Sequence, residues 1–308
     1  MDMKKNGICV MGSLNIDLTV RLTRFNKPGE TVTGQSFHTF TGGKGGNQTV
    51  AAARLGGMVR MIACLGADAH GTMYREALRN EGVDASRVKM LSDETSGVAL
   101  IEVDDTGENR IVIVAGANAR LDAAQVRESA EIIAGSHCLL MQLETPLDGD
   151  IEAATIAHEN GVTVILDPAP ARELPDELLA LCDYITPNET ELHTLTGMPV
   201  DTDAEAEAAC RRLLARGVGA VINKRGAKGA LLVTPERVLV SPGFVVKAVD
   251  TTAAGDTFNA GFAVGLERGW SVDESLRLAN AAAALSTTKL GAQAAMPPFM
   301  RARALMNT

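Results

Sequence analysis

The chain has 308 residues, 46% of them hydrophobic and 22% charged, with a formal net charge of −9. An α/β chain of this length buries roughly three quarters of its unfolded surface, so its core needs neither disulfides nor a structural metal. The acidic balance excludes a general binder of nucleic acid or of anionic membranes, and any phosphate anion the chain handles must be held by a local device.

In chain order, "MDMKKNGICVMGSLN" has a short basic start and an apolar run too brief for a secretory signal. "GSLNID" (12–17) then places Asn15 and Asp17 at the end of the first buried strand, with both side chains on one face. Ligands of open α/β sheets sit beyond the carboxyl ends of the strands, where a carboxylate accepts from two neighbouring hydroxyls, as a sugar diol requires. An Asx turn explains the same residues equally well. Residues 14–42 alternate and carry a Pro-Gly turn without helical period, and read as an antiparallel ribbon apart from the parallel core.

"GGKGGN" (42–47) sets four glycines around Lys44 and Asn47, just before the helix "QTVAAARLG". It matches neither G-x-x-x-x-G-K-[ST] nor G-x-G-x-x-G, since Gln48 stands where the last glycine belongs, and so argues against a P-loop ATPase or a dinucleotide-dependent dehydrogenase. A plain tight turn is one reading; close backbone approach to a ligand is the stronger one. "VRMIACLG" is a strand followed by a helix that stops at Gly82, and residues 96–115 form a hairpin around "DDTGEN". Next come the strand "SHCLLMQLE", the helix "PLDGDIEAATIAHENG" and the strands "VTVILDP" and "CDYITP". "PNETE" (187–191) opens a helix for which Asn188 as N-cap and first-turn acids are a sufficient account. A second helix, "DAEAEAACRRLLARG", precedes the buried strand "VGAVINK". "INKRGAKG" (222–229) leaves that strand in a basic, glycine-flanked turn, either a nucleotide-phosphate contact or a solvated loop. "WSVDE" has capping-box spacing, so a last long helix runs from near Ser271 to about Lys289.

The alternation of strand and helix predicts an α/β, Rossmann-like, mostly parallel central sheet covered by helices on both faces, with the two ribbons as a small antiparallel β lid. Cys9, Cys64, Cys138, Cys182 and Cys210 have no C-x-x-C spacing and read as buried apolar residues in a reducing compartment, which points to the cytoplasm. No membrane span is expected. "STTK" (286–289) has the S-x-x-K spacing of serine acyl enzymes without their companion motifs, and the five histidines have no metal-ligand spacing.

"DTTAAGDTFNAGF" (250–262) admits two readings: Asp256 caps a helix, or the turn binds an anion and the acid does chemistry. Small residues running into a helix N-terminus present free N–H groups and the positive end of the macrodipole, which suits a phosphate. Asp256 then stands where a hydroxyl nucleophile must lose its proton, and phosphoryl transfer asks mainly for positioning, charge stabilisation and such a base.

Taken in order, "GSLNID", "GGKGGN", "MQLE", "PNETE", "GAKG" and "DTTAAGDTFNAG" resemble the ribokinase-like family of carbohydrate kinases over nearly the whole chain. The resemblance implies one domain over 1–308, a lid formed by roughly 14–42 and 96–115, and ATP-dependent phosphorylation of D-ribose at the 5-hydroxyl. It implies Asp256 as general base and the backbone of Ala253, Ala254 and Gly255 as anion hole. Asn15, Asp17, Gly43, Lys44, Asn47 and Glu144 would hold the sugar; Asn188, Lys224, Gly226, Gly229 and Asn280 would lie along ATP. Glu191 would organise Mg²⁺ through water, and Asp250, Thr252, Ser286, Lys289 and Gly291 match positions that hold an activating K⁺. A homodimer through the lid is also implied. Alternatives are a kinase of 2-deoxyribose, a ketose or a nucleoside, or a non-catalytic sugar-binding regulator. The chain departs from the family in four places. Lys224-Arg225 replaces a small polar and an aliphatic residue and makes the nucleotide edge more basic. Asn280 stands where His is common, Gly46 replaces a common Ala, and Ala295 lacks a hydroxyl expected beside the K⁺ loop.

Overall fold

The computed structural model describes residues 5–308, so all but Lys5 of the basic start lies outside the described residues. The apolar run ICVM is buried along its whole length as β1 (Ile8–Met11). The chain then pairs β2 (Asn15–Arg21) with β3 (Ser36–Gly42), enters α1 (Lys44–Arg54), and continues through β4 (Val59–Gly66), α2 (Ala69–Asn80) and β5 (Asp84–Leu91). The hairpin β6 (Gly97–Val103) and β7 (Asn109–Val114) follows, then α3 (Ala123–Arg127) and α4 (Ala130–Ala134). Next are β8 (Cys138–Met141), α5 (Leu147–Glu159), β9 (Thr163–Leu166), α6 (Asp176–Ala180) and β10 (Tyr184–Ile185). Helices α7 (Glu189–Thr196) and α8 (Asp203–Leu214) lead to β11 (Ala220–Lys224), β12 (Ala230–Val233) and β13 (Val238–Ser241). The chain finishes with α9 (Ala254–Glu267), α10 (Val272–Ser286), α11 (Ala292–Ala295) and α12 (Phe299–Met306).

Among the described residues, nine strands form the main sheet in the order β13-β12-β11-β10-β9-β8-β1-β4-β5. From β11 to β5 every pairing is parallel; at the other edge β12 runs antiparallel to both β11 and β13. Alternation divides the apolar side chains into two cores. Ile8 and Val10 pack with α1, α9 and α10 on one face, while Cys9 and Met11 pack with α5 and α8 on the other. Asn188, Thr202 and Ser271 each close a capping box at the start of α7, α8 and α10. All five cysteines are buried and unpaired.

Two sequence expectations are corrected. Asn15 and Asp17 do not end the first buried strand: β1 stops at Met11, and both residues open β2, in a separate four-stranded sheet of order β3-β2-β6-β7. That sheet consists of two antiparallel hairpins joined by a parallel β2–β6 pair, because each ribbon adds its own first strand to the centre. Second, α1 starts at Lys44, inside "GGKGGN", so Gly45 and Gly46 are helical. Gly45 is there because a Cβ would stand 2.6 Å from the Gly12 carbonyl carbon, and Gly46 because a Cβ would stand 1.8 Å from the Tyr74 hydroxyl.

Candidate active site

The parallel order reverses between β1 and β8: the chain goes outward through β4 and β5 on one side and through β8 to β11 on the other. Such a switch point leaves a crevice at the carboxyl ends of the strands. The residues beyond those ends are Asn15 and Asp17 after β1, Glu144 after β8, Asp167 after β9 and Asn188 after β10, with Lys224 closing β11.

Asp256 lies in the first turn of α9 and is only 6% exposed. Asn47 Nδ2 donates to one of its oxygens at 3.0 Å and Gln48 Nε2 to the other at 3.1 Å. Burial pushes its pKa up to about 6, against the pull of the Lys44 ammonium and with a further push from Asp167. The same Gln48 amide donates to Asp167 at 2.9 Å, and Asp167 accepts from Lys224 Nζ at 2.7 Å. Ala253, just before the helix, has φ 58°, a left-handed conformation that costs a non-glycine residue energy and turns the backbone into the cleft. The Ala254 N–H donates to the Thr251 carbonyl at 3.2 Å. The N–H groups of Ala253 and Gly255 have no acceptor among the described residues, and with the helix dipole they are the turn's offer to an anion.

Asn47 links Asp256 to "GSLNID" and "GGKGGN", two segments that pack closely against each other at Gly42, Gly43 and Gly45. Asn118 Nδ2 donates to Asn15 Oδ1 at 2.8 Å, which leaves the Asn15 amide hydrogens for a ligand. The Asp17 carboxylate lies over Gly42, where a Cβ would stand 2.2 Å from Oδ2. Burial, then the nearby Glu144, pushes the Asp17 pKa up to about 7. Glu144 accepts from the Ser13 hydroxyl and from the Lys44 backbone N–H at 3.0 Å. Burial works against the Lys44 ammonium, yet the carboxylates of Asp256, Asp167, Glu144 and Glu191 hold its pKa above the ordinary lysine value. Strand register sets Ala99 opposite Asp17, and Ile113 opposite Ala99, so these apolar side chains share the sheet face of Asp17.

A cavity of about 580 Å³ runs from Asp256 outward, past Asn188, Glu191, Lys224, Gly226 and Gly229 to an apolar rim that includes Phe244 and Val246. In α7 Asn188 Oδ1 caps the Glu191 N–H, and Glu191 Oε2 accepts from the Asn188 N–H, so the structural account of "PNETE" holds while both side chains keep a polar atom for the cavity. Asn280 lines the cavity too, but its amide donates to Ser241 and Pro242 and so fixes the wall. Of the two basic residues expected at this edge, only one lines the cavity. Lys224 faces the cavity, whereas Arg225, the next residue, points to the other side and pairs with Asp203 at 2.5 Å.

Asp250 ties two loops together by accepting from Thr252 and from the Gly291 N–H at 2.8 Å. The carbonyls of Thr252 and Lys289 accept no hydrogen bond among those described. Ser286 is buried at the end of α10, its hydroxyl turned back onto the Ala283 carbonyl. No cluster of three metal-ligating side chains occurs among the described residues.

Residues 5–298 match the model of the pfkB family carbohydrate kinases. The chain belongs to the pfkB family of carbohydrate kinases. It is 48% identical over 290 residues to a ribokinase of Haemophilus influenzae, covering 94% of this chain and 95% of that one. A deoxyribokinase of Salmonella typhi is 38% identical over 94% of this chain and 95% of its own. The structure of Arabidopsis thaliana ribokinase complexed with ribose and ATP superposes with a TM-score of 0.95, at 36% identity, over 99% of both chains. This pfkB kinase carries polar groups in its site that sequence reasoning missed: Gln48, Asn118, Asp167 and Gln293. Gln48 was visible only as the residue that breaks a glycine pattern. Asn118, Asp167 and Gln293 lie far along the chain from their partners, and no local spacing announces them.

Proposed function

We propose that this kinase transfers the γ-phosphoryl group of ATP to the 5-hydroxyl of D-ribose, giving D-ribose 5-phosphate and ADP, with Asp256 as general base. The observation that carries this reading is a buried carboxylate that stands beside a backbone turn with free N–H groups and is linked through Asn47 to the segments of Asn15 and Asp17. Asp256 takes the hydroxyl proton as the oxygen–phosphorus bond forms and the bond to ADP breaks; the turn at Ala253, Ala254 and Gly255 receives the charge. Asn15 donates and Asp17 accepts, which matches adjacent hydroxyls of ribose, with Gly43, Lys44, Asn47 and Glu144 completing the pocket. A pocket with this pairing disfavours 2-deoxyribose, because buried polar groups would go unpaired. ATP lies along Asn188, Lys224, Gly226, Gly229 and Asn280. Mg²⁺ is usually held by one or two carboxylates, phosphates and water, and Glu191 with its open oxygen fits that habit. K⁺ would sit by Asp250, Thr252, Ser286, Lys289 and Gly291.

The whole chain acts as one domain, with the four-stranded sheet as lid over the sugar. Phe37, Phe40, Leu100 and the run Ile111–Val114 are exposed on that sheet, more apolar surface than an edge strand normally leaves in water. We infer that a second copy covers it. The five unpaired cysteines fit a cytoplasmic setting.

The test is ADP release with ATP, Mg²⁺ and K⁺ against D-ribose, 2-deoxy-D-ribose, D-fructose and adenosine. Strong preference for ribose is expected. Preference for 2-deoxyribose would move the chain to the specificity of its deoxyribokinase relative, and silence with all four would overturn the ribose reading.

A further inference from the structure

The lysine at the end of β11 is in an unusual place. Its side chain is 11% exposed, and its ammonium has one carboxylate partner, Asp167, itself 2% exposed. An ammonium has three N–H donors, so two remain. A Cβ built on Gly255 would stand 3.4 Å from Lys224 Nζ, so the charge rests against the first turn of α9. That turn is the positive end of a helix and repels a cation. Asp167 cannot move aside, because Gln48 Nε2 holds its second oxygen at 2.9 Å. A buried cation fixed against a positive helix end makes sense when an anion lies between the two.

We propose that Lys224 is a catalytic residue of this kinase, its ammonium binding the phosphoryl group in transfer while Asp167 holds the side chain over the α9 turn. The inference rests on the kinase reading above. Lys224 keeps its proton throughout: the sugar hydroxyl proton goes to Asp256, and the lysine only gathers charge from the phosphoryl oxygens as they leave ADP. Asp167 is a positioning residue. It also links the two halves of the site, since Gln48 bridges it to Asp256. The charged groups around that bridge are Lys44 from α1, Asp256 from α9, Lys224 from β11 and Glu191 from α7.

Lys224→Met alone strands a buried charge on Asp167 and is expected to destabilise the fold. The informative variant is therefore Lys224→Met/Asp167→Asn, neutral at both positions, with Lys224→Arg beside it. The double variant should melt close to the parent, bind ribose with little change and lose kcat on the order of a hundredfold. Lys224→Arg should retain most of the turnover. By calorimetry, the double variant should lose on the order of tenfold more affinity for a non-hydrolysable ATP analogue than for ADP. A folded double variant with parental kcat and KM for ATP would overturn the proposal and reduce Lys224 to a neutraliser of Asp167. If the parent itself phosphorylates no sugar, the kinase reading fails on its own. The calorimetric comparison then decides: equal losses for analogue and ADP overturn the lysine's role, and a selective loss supports it.

Discussion

Asp256 is asked to be buried and to carry charge, and the two demands set its behaviour. Its oxygens are held by Asn47 and Gln48, so exchange for asparagine keeps the shape and removes the proton acceptor. Asp256→Asn should fold, bind sugar and lose turnover by roughly 10²–10⁴-fold; near-parental kcat would remove the assignment. A base works only when ionised. With Asp256 pushed to about 6 by burial, kcat at saturating sugar should fall as pH drops through that value, read from a pH–rate profile. Asp17, pushed to about 7, should add an earlier fall to kcat/KM for the sugar. The same shift affects stability with the opposite sign. A carboxyl whose folded pKa lies above its unfolded value stabilises the protonated fold, an effect complete below about pH 4 and lost as pH rises through about 7. Asp17→Asn should therefore raise the sugar-free melting temperature at pH 8 more than at pH 5, a differential of about 2 kcal/mol after allowing for partial exposure. An equal shift at both pH values would contradict the assigned cause. The pocket gives up stability to keep an acceptor ready for hydroxyls.

At the scale of elements, α1 shows how packing overrides propensity. Alanine normally stabilises a helix interior over glycine by about 1 kcal/mol. At Gly45 it should do the reverse, since the methyl would meet the backbone of Gly12 and Ser13, which cannot swing aside. At Gly46 the obstacle is a side-chain hydroxyl. Tyr74 donates to the Gly42 carbonyl at 2.6 Å and accepts from Gln293, which also donates to Asn47. Gly46→Ala should be destabilising, and Tyr74→Phe in the same chain should restore part of the loss, with a coupling of about 0.5–3 kcal/mol by denaturation. Strict additivity would mean the two groups do not compete for that space. The caps at Asn188 and Ser271 were legible from residue type and spacing. The start of α1 was not, because glycines announce a loop to any local reading and only the chain packed against them explains their place in a helix.

At the scale of the molecule, the four-stranded sheet has an apolar outer strand. In β7 the four residues Ile111 to Val114 are 49–60% exposed, on both faces of the strand. The 32.3 kDa chain should sediment as a dimer, and Ile111→Asp/Val112→Asp should sediment as a monomer that still binds ATP. A monomeric parent would show that the strand serves the lid alone. Much of this architecture was legible beforehand. Alternation of buried strands with amphipathic helices fixes a parallel sheet, and the small-residue turn before Asp256 runs into a helix as expected, because both rest on local chemistry that any context preserves. Tertiary structure alone decided the rest. Asn15 and Asp17 belong to the four-stranded sheet because β2 leaves the main sheet; Arg225, just past the end of β11, turns away to pair with Asp203; Gln48 joins Asp167 to Asp256 across more than a hundred residues of chain. Contacts between distant segments depend on where the fold brings them, and no spacing along the chain encodes that.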